Sequence, residues 1–521
     1  MALPPPTRDA DNQDPHLAVA AENHRLRAVL EAARALVSER NLDALLHLIL
    51  REAVAVADAD RGSLFLVDHE RGELWSKIAH GLEPGAEIRV KLGMGVAGTC
   101  AANGEIINLT DAYSDQRFNQ AVDRATGYHT RTLLCVPMTN MRGEVVGVVQ
   151  LLNRRQGVFT AADADLLRVF GGQAAAAIEN ALLHEEITSL FEGFVKASVV
   201  AIESRDPTTG GHSERVAKLT LGLADSVERS GTGPLGRLVF DPNQRMEIRY
   251  AALLHDFGKV GVREDVLVKA NKLYPAQLSL LKQRFEYAEK AWEAETLRRV
   301  LALIRSGADV AMIQAEEAKL LSRRAELDRD WGVIESANRP TVLSGGSFEA
   351  LTEMQTRTYP APDGSWQPLL TEQEAALLSI PRGSLSSQER AEIEAHVSHT
   401  FRFLSQIPWS RSLERVPEIA HGHHEKLSGQ GYPLGLKADA ICLEARMMSV
   451  ADIYDALTAS DRPYKKAVPH DNAVRILQEE VERGALDGDL VRLFTNDEVP
   501  RRVIGEVEFD RVNTGKISGV F

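Results

Sequence analysis

Two groups of residues in this sequence could carry chemistry. The first is His255-Asp256-Phe257-Gly258-Lys259; the second, far downstream, is His423-His424-Glu425, followed by Gly429-Gln430-Gly431-Tyr432-Pro433. Adjacent His-Asp and His-His pairs suit a pair of close metal ions. A carboxylate has two oxygens and can bridge two ions, whereas each imidazole gives one nitrogen. Two divalent ions about 3.5–4 Å apart can clamp a phosphodiester and generate a hydroxide for in-line displacement. A lone histidine is more often a satisfied core residue. Two such groups with outlying partners favour the metal reading.

Composition narrows the setting. The 521 residues suffice for two to four domains, and 44 % hydrophobic content is that of a globular chain. The formal net charge of −14 argues against a nucleic-acid polymer as partner, so an anionic substrate needs local Lys and Arg. Cys100, Cys135 and Cys442 have no paired spacing and give no disulfide or zinc framework. No apolar run approaches the roughly 20 residues of a membrane span. Residues 1–16 are rich in Pro and Asp, lack an apolar signal region and read as disordered, so a cytoplasmic protein is expected.

The elements that must position these groups follow in order. Residues 17–40 and 42–59 read as helices. Strand-like runs at 62–67, 73–79, 133–137 and 145–152 alternate with turns, giving an α+β sensor module. Residues 161–202 read as one long helix. Its Leu166, Val169, Phe170, Gln173, Ala177, Asn180, Ala181, His184, Ile187, Leu190 and Phe194 recur at three- and four-residue steps, which favours a parallel homodimer. Beyond it the chain is helical. Residues 275–305 and 310–337 form a hairpin around the turn at 306–309, a helical arm free to meet a protein partner, and 341–367 reads as a loop. The predicted architecture is multidomain: residues 1–16; a sensor with flanking helices, 17–183; a signalling helix, 184–202; and an all-α domain, 203–521, interrupted at 275–382.

Residues 41–183 resemble a GAF domain through Gly93-Met94-Gly95-Val96-Ala97-Gly98, Val136-Pro137-Met138 and the run from Gly147 to Asn153. Asn153, Arg154, Phe159 and Asp163 resemble the motif of cyclic-nucleotide-binding GAF domains, with Arg154 in place of Lys and Ala164 in place of Glu. The resemblance leaves three roles open: dimerisation alone, a cyclic nucleotide, or another small ligand. The four residues either line the ligand pocket or support it.

His255, Asp256, Gly258 and Lys259, with His423-His424-Glu425 and Gly429-x-Gly431-Tyr432-Pro433, resemble the signature of the HD-GYP phosphodiesterases. The resemblance spans residues 197–494, apart from the insert. It implies seven metal ligands: His212, His255, Asp256, His396, His423, His424 and Asp452, with Asp256 bridging. It implies that Lys259 stabilises charge on phosphoryl oxygens, that Arg462 and Lys465 hold substrate phosphate, and that Gly431, Tyr432 and Pro433 form a loop beside the metals. Nitrogen-rich ligation with carboxylates suits iron, manganese or zinc, and the resemblance selects iron or manganese. Some members place a Glu four residues before the first metal His for a third ion. Thr208 stands there, so two divalent ions are expected. Ser428 replaces the usual Asp before the loop's first Gly without removing a ligand.

The implied activity is hydrolysis of cyclic di-GMP to pGpG, with GMP as a further product, regulated by the GAF domain. Two alternatives are a catalytically idle receptor for the nucleotide and a phosphodiesterase for a mixed cyclic dinucleotide.

Overall fold

The computed structural model describes residues 27, 29–79, 87–205, 210–231, 235–340, 345–459 and 467–505. The expected disorder at 1–16 and most of the first expected helix lie outside them; residues 29–38 are helical. The chain divides into two units, Met1–Glu192 and Gly193–Phe521.

In the first unit, Asn41 starts α1 (Leu42–Val56) by accepting a hydrogen bond from the Ala44 amide at 2.9 Å. The helix ends at Val56, three residues before the expected limit. Asp58 turns with a positive φ of 51°, and β1 (Ala59–Asp68) begins there. With β2 (Glu73–Ala79), β3 (Ile88–Lys91), β4 (Ile107–Leu109), β5 (Leu133–Thr139) and β6 (Val145–Arg154) it forms an antiparallel sheet of order β3-β2-β1-β6-β5-β4. Leu64 pairs across the sheet with both Ile78 and Val149.

The two-residue period sorts β1 between two cores. Leu64 and Leu66 face Leu45 and Ile49 of α1 and Phe170 and Ile178 of α4 (Ala161–Arg205). Phe65 faces Val96 and Cys100 of α2 (Gly95–Asn103). A short helix, α3 (Gln120–Thr126), precedes β5. The long helix expected at 161–202 is a single element, and the division between units falls inside it.

The second unit is mostly helical. α5 (His212–Ser230) buries Val216, Leu219, Leu223 and Val227. α6 (Pro242–Leu254) starts at an Asp241/Gln244 capping box. A 3-10 turn over Phe257–Gly261 follows it, then α7 (Glu264–Leu267). The helical arm is α8 (Pro275–Arg305) and α9 (Val310–Asn338), close to the predicted bounds. The stretch expected to be a loop instead contains α10 (Gly345–Met354) and the hairpin β7 (Thr358–Pro360) and β8 (Trp366–Pro368). Leu351, Met354 and Leu369 bury against Leu281, Phe285 and Ile334 of the arm, and that contact overrides the Gly- and Pro-rich composition.

The chain then runs through α11 (Glu372–Leu378), α12 (Ser387–Leu404), α13 (Val416–His421), α14 (Leu443–Thr458), α15 (His470–Glu482), α16 (Gly488–Asn496) and α17 (Val499–Ile504). Among the described residues no helix is long and apolar enough to cross a membrane.

The base of the insert is closed by buried polar contacts. Lys272, fully buried, donates from Nζ to the Leu378 carbonyl at 2.8 Å, and Asn338 Oδ1 accepts from the Leu273 amide at 2.8 Å. Glu389, in the capping box of α12, accepts from Lys269 Nζ at 2.8 Å and Tyr274 Oη at 2.7 Å. Burial alone would raise the Glu389 carboxyl, but the bonds from Lys269, Tyr274 and Ser386 outweigh it and hold the pKa at about 2, below the ordinary 4.5. A depressed pKa stabilises the fold above the ordinary carboxylate range, and that contribution disappears as pH falls through about 2. Glu389→Gln keeps the capping geometry but strands the Lys269 charge, and should cost about 3 kcal/mol at pH 7. Denaturant unfolding at pH 7 and at pH 3 checks this: the gap to the unmodified protein should narrow at the lower pH.

Candidate metal centre

Five helices bring the sequence-predicted ligands together. His212 opens α5, His255 caps the end of α6 with Asp256 after it, His396 lies in α12, His423 and His424 follow α13, and Asp452 lies in α14. All seven fall into groups whose ligand atoms lie within 4.8 Å of one another: His212 with His255 and Asp256; His396 with His423 and His424; and His255 with His423 and Asp452. The first two groups share no residue. Asp256 faces both, with Oδ1 3.3 Å from His396 Nε2 and Oδ2 3.5 Å from His255 Nε2 and 3.7 Å from His212 Nε2. Such a carboxylate is placed to bridge two ions.

The imidazoles are oriented by the backbone. Nδ1 of His255, His396 and His423 lies 2.6–2.7 Å from the carbonyls of Ala252, Ile393 and Ala420, each three residues back. A carbonyl can only accept, so Nδ1 carries the proton in each ring and a neutral ring keeps its lone pair on Nε2. All three Nε2 atoms are buried without a hydrogen-bond partner. A buried unpaired acceptor is costly, and a cation accepting these lone pairs removes the cost. The donor set therefore fits a metal.

Electrostatics agree for His255, His423 and His424. Burial pushes His255 and His423 down and His424 down to about 4, which keeps these rings neutral and able to ligate. Burial acts against both carboxylates as well. For Asp256 it is outweighed by Lys259 and the histidines, and for Asp452 by His212 and its neighbours, so both stay ionised. Lys259 Nζ lies 2.8 Å from Asp256 Oδ2.

His212 is held by a residue that sequence reasoning did not single out. Its Nδ1 donates to Asp455 Oδ2 at 2.7 Å, and Arg215 grips the same carboxylate from Nε at 2.6 Å and Nη2 at 3.0 Å. Burial works against protonation of His212, yet the Asp452 and Asp455 carboxylates raise its pKa to about 9. The sequence signal was present: Asp455 lies three residues after Asp452, on the same face of one helix.

Close packing fixes the rest. A Cβ on Gly258 would run into the His396 carbonyl and the Thr400 amide. Thr400 Oγ1 accepts from the Gly258 amide at 2.8 Å and donates to the His255 carbonyl at 2.9 Å, binding the His-Asp turn to α12. The loop of Gly431, Tyr432 and Pro433 sits beside the site, with the Tyr432 ring 4.7 Å from that of His424. Glu425 holds the following residues by accepting from the Leu434 and Leu436 amides at 2.7 and 2.8 Å. Gly431 has no room for a side chain against the His424 carbonyl and the Lys426 amide. His421 stacks on Phe401 with centroids 4.3 Å apart and joins none of the ligand groups. Thr208, Arg462 and Lys465 lie outside the described residues.

In the sensor unit the four motif residues are tied into the surrounding chain. Asn153, with a positive φ of 53°, accepts from the Arg131 and Thr132 amides and donates to Tyr128 Oη and the His129 carbonyl. Arg154 Nε lies 3.2 Å from Asp163 Oδ2, Asp163 caps Thr160, and Phe159 is buried. A separate cleft of about 560 Å³ is lined by Gly104, Ile106, Pro137, Asn140, Arg168 and Gly172 among others, and by none of the four.

Comparison with known proteins matches the model of the GAF domain at residues 41–178 and two models of the HD domain at 209–330 and 373–490. The chain joins a GAF domain to an HD-type region. The gap between the two HD segments falls within the insert. Relatives include a probable 3′,5′-cyclic phosphodiesterase of Caenorhabditis elegans, 36 % identical over 190 residues, covering 34 % of this chain and 26 % of the relative. A dual 3′,5′-cyclic-AMP and -GMP phosphodiesterase of Drosophila melanogaster is 34 % identical over 174 residues, covering 30 % and 12 %. This chain thus spans about a quarter or less of these two relatives. Among solved structures, the GAF domain of a phosphoenolpyruvate-protein phosphotransferase from Coxiella burnetii is 22 % identical, covering 32 % of this chain and 98 % of that one, with a TM-score of 0.29.

If Asp455 orients His212, Asp455→Asn should lower metal affinity about 10- to 100-fold, the usual cost of losing a partner behind a ligand. Metal retained against a graded chelator series, with helicity followed by circular dichroism, reads this directly. Unchanged retention would remove Asp455 from that role.

Proposed function

We propose that the HD-type region is a two-metal phosphodiesterase that opens cyclic di-GMP to pGpG and cuts on to GMP, and that the GAF domain regulates it by binding a small ligand. The carrying observation is Asp256, whose two oxygens face two separate histidine groups with buried, unpaired Nε2 atoms. The residues His212, His255, Asp256, His396, His423, His424 and Asp452 would hold two divalent ions, iron or manganese by the resemblance. Bound there, the ions would supply Lewis acidity that lowers the pKa of water and places positive charge against phosphoryl oxygens.

The chain's own side chains do the remaining work. Lys259, 2.8 Å from Asp256, sets a further cation where charge gathers on the phosphoryl group. Arg462 and Lys465 grip the substrate's phosphates, Arg with two parallel hydrogen bonds. The Gly431-Tyr432-Pro433 loop forms the rim against which the nucleotide rests. Water adds to phosphorus, the bond to the ribose 3′-oxygen breaks, and that oxygen leaves with a proton as a hydroxyl. The exposed stripe of Leu183, Ile187 and Leu190 on α4 suits a parallel homodimer that carries the sensor's state along the helix.

A second reading, hydrolysis of 3′,5′-cyclic mononucleotides, is favoured by the names of the relatives. Their alignments, 190 residues and 174 residues, are too short to include the GAF segment and both HD segments together. Anaerobically purified protein loaded with Fe(II) or Mn(II), assayed on cyclic di-GMP, a mixed cyclic dinucleotide, cyclic AMP and cyclic GMP, separates the readings. Turnover of the mononucleotides alone would replace the substrate; turnover of none would leave a receptor.

The double variant His255→Ala/Asp256→Ala should lose turnover and bound metal together, and normal turnover would end the two-metal reading. Arg462→Ala should raise KM about tenfold or more, a loss of roughly 1.4 kcal/mol in binding, with kcat little changed. A loss in kcat alone would assign Arg462 to the chemical step instead.

A further inference from the structure

We propose that the tip of the arm is a self-association surface on which two copies of this chain pair, hairpin against hairpin, as a four-helix bundle. This inference is independent of the phosphodiesterase reading.

The base of the arm has a core of its own, built by Leu281, Phe285, Ala288 and Trp292 of α8 against Leu327 and Ile334 of α9 and the elements around α10. Beyond Thr296 the hairpin has only two layers, and not one residue from 297 to 326 is buried. The stretch is nonetheless apolar. Leu297, Leu301 and Ile304 recur at four- and three-residue steps along α8, and Val310 and Leu321 share a face of α9. Each of these five is more than half exposed. Two helices cannot cover such stripes on both sides, whereas four can.

Charge identifies the occupant. Residues 297–308 carry Arg298, Arg299 and Arg305 and no acid; residues 309–321 carry Asp309, Glu316 and Glu317 against Lys319. Arg299 is used within the arm, 2.6 Å from Glu295 and 3.7 Å from Glu316. Arg298 borders the apolar stripe of α8, and Glu317 lies on the face of α9 between Val310 and Leu321. They lie nearly level along the hairpin, nine residues before and ten after Gly307 at its turn. A two-fold axis along the hairpin would set each α8 beside the other copy's α9, antiparallel, with Arg298 facing the other copy's Glu317 twice. A patch that is basic on one helix and acidic on the next is complementary to itself, as an isologous interface requires.

The test is site-directed crosslinking of the full chain. Ser306, exposed at the tip, is replaced (Ser306→Cys), and a short bismaleimide joins tips that lie together; the parent chain controls for Cys442. A covalent dimer is expected. Its yield should fall at least fivefold when Arg298→Glu or Glu317→Arg is added, and return to within twofold when both are combined. Circular dichroism and metal content report that each variant is folded. Absence of crosslinking with Ser306→Cys would overturn the proposal. So would a yield insensitive to either charge reversal, or a double reversal no better than the singles.

Discussion

The HD-type unit depends on three imidazole rings whose Nδ1 atoms are tied to carbonyls three residues back. Each bond fixes a tautomer and leaves an Nε2 lone pair buried with nothing to accept from. Without a cation, those atoms and the two ionised aspartates beside them make the centre of the domain costly to bury. With one, the same arrangement is a set of preoriented ligands. Folding and metal affinity are therefore linked: the packing that seats His255 against α12 through Gly258 and Thr400 also sets the distance between the two histidine groups.

The candidate ligands were legible because their chemistry is written in residue type and in the order of motifs. His212, His255, Asp256, His396, His423, His424 and Asp452 do come together. The long helix and both arm helices were legible from their periodicity. What sequence could not carry was partnership across distance. Asp455 matters through a contact with His212, more than two hundred residues away, and Arg215 matters only because it grips Asp455. α10 and the β7–β8 hairpin were missed because their Gly, Ser and Pro content outweighs a few apolar residues on paper. In the fold, Leu351, Met354 and Leu369 find the side of the arm and decide the outcome. In the GAF unit, Asn153 reads equally as ligand contact or support, and only its four hydrogen bonds to neighbouring chain reveal the support.

The insert is tied to the metal centre through one rigid element. α12 carries Glu389 near its start and His396 two turns later. Glu389 receives Lys269 and Tyr274 at the base of the arm, and Glu392, between them, is held by Arg263 at 2.8 Å. His396 reaches Asp256 from the same helix. A force on the arm therefore reaches α12 through charged and hydrogen-bonded contacts at its first two turns, and α12 cannot shift without moving His396. The contact that would resist is at Gly258, where the approach of the His396 carbonyl and the Thr400 amide leaves no room even for a Cβ. Displacement of α12 toward that turn meets backbone atoms with no side chain to yield, while displacement away separates His396 from Asp256. The arm's base thus bears on the spacing of the two histidine groups more than on their identity. The insert, which lies between Lys259 and His396 in sequence, is joined in the fold to the helix that sets the distance from His396 to Asp256.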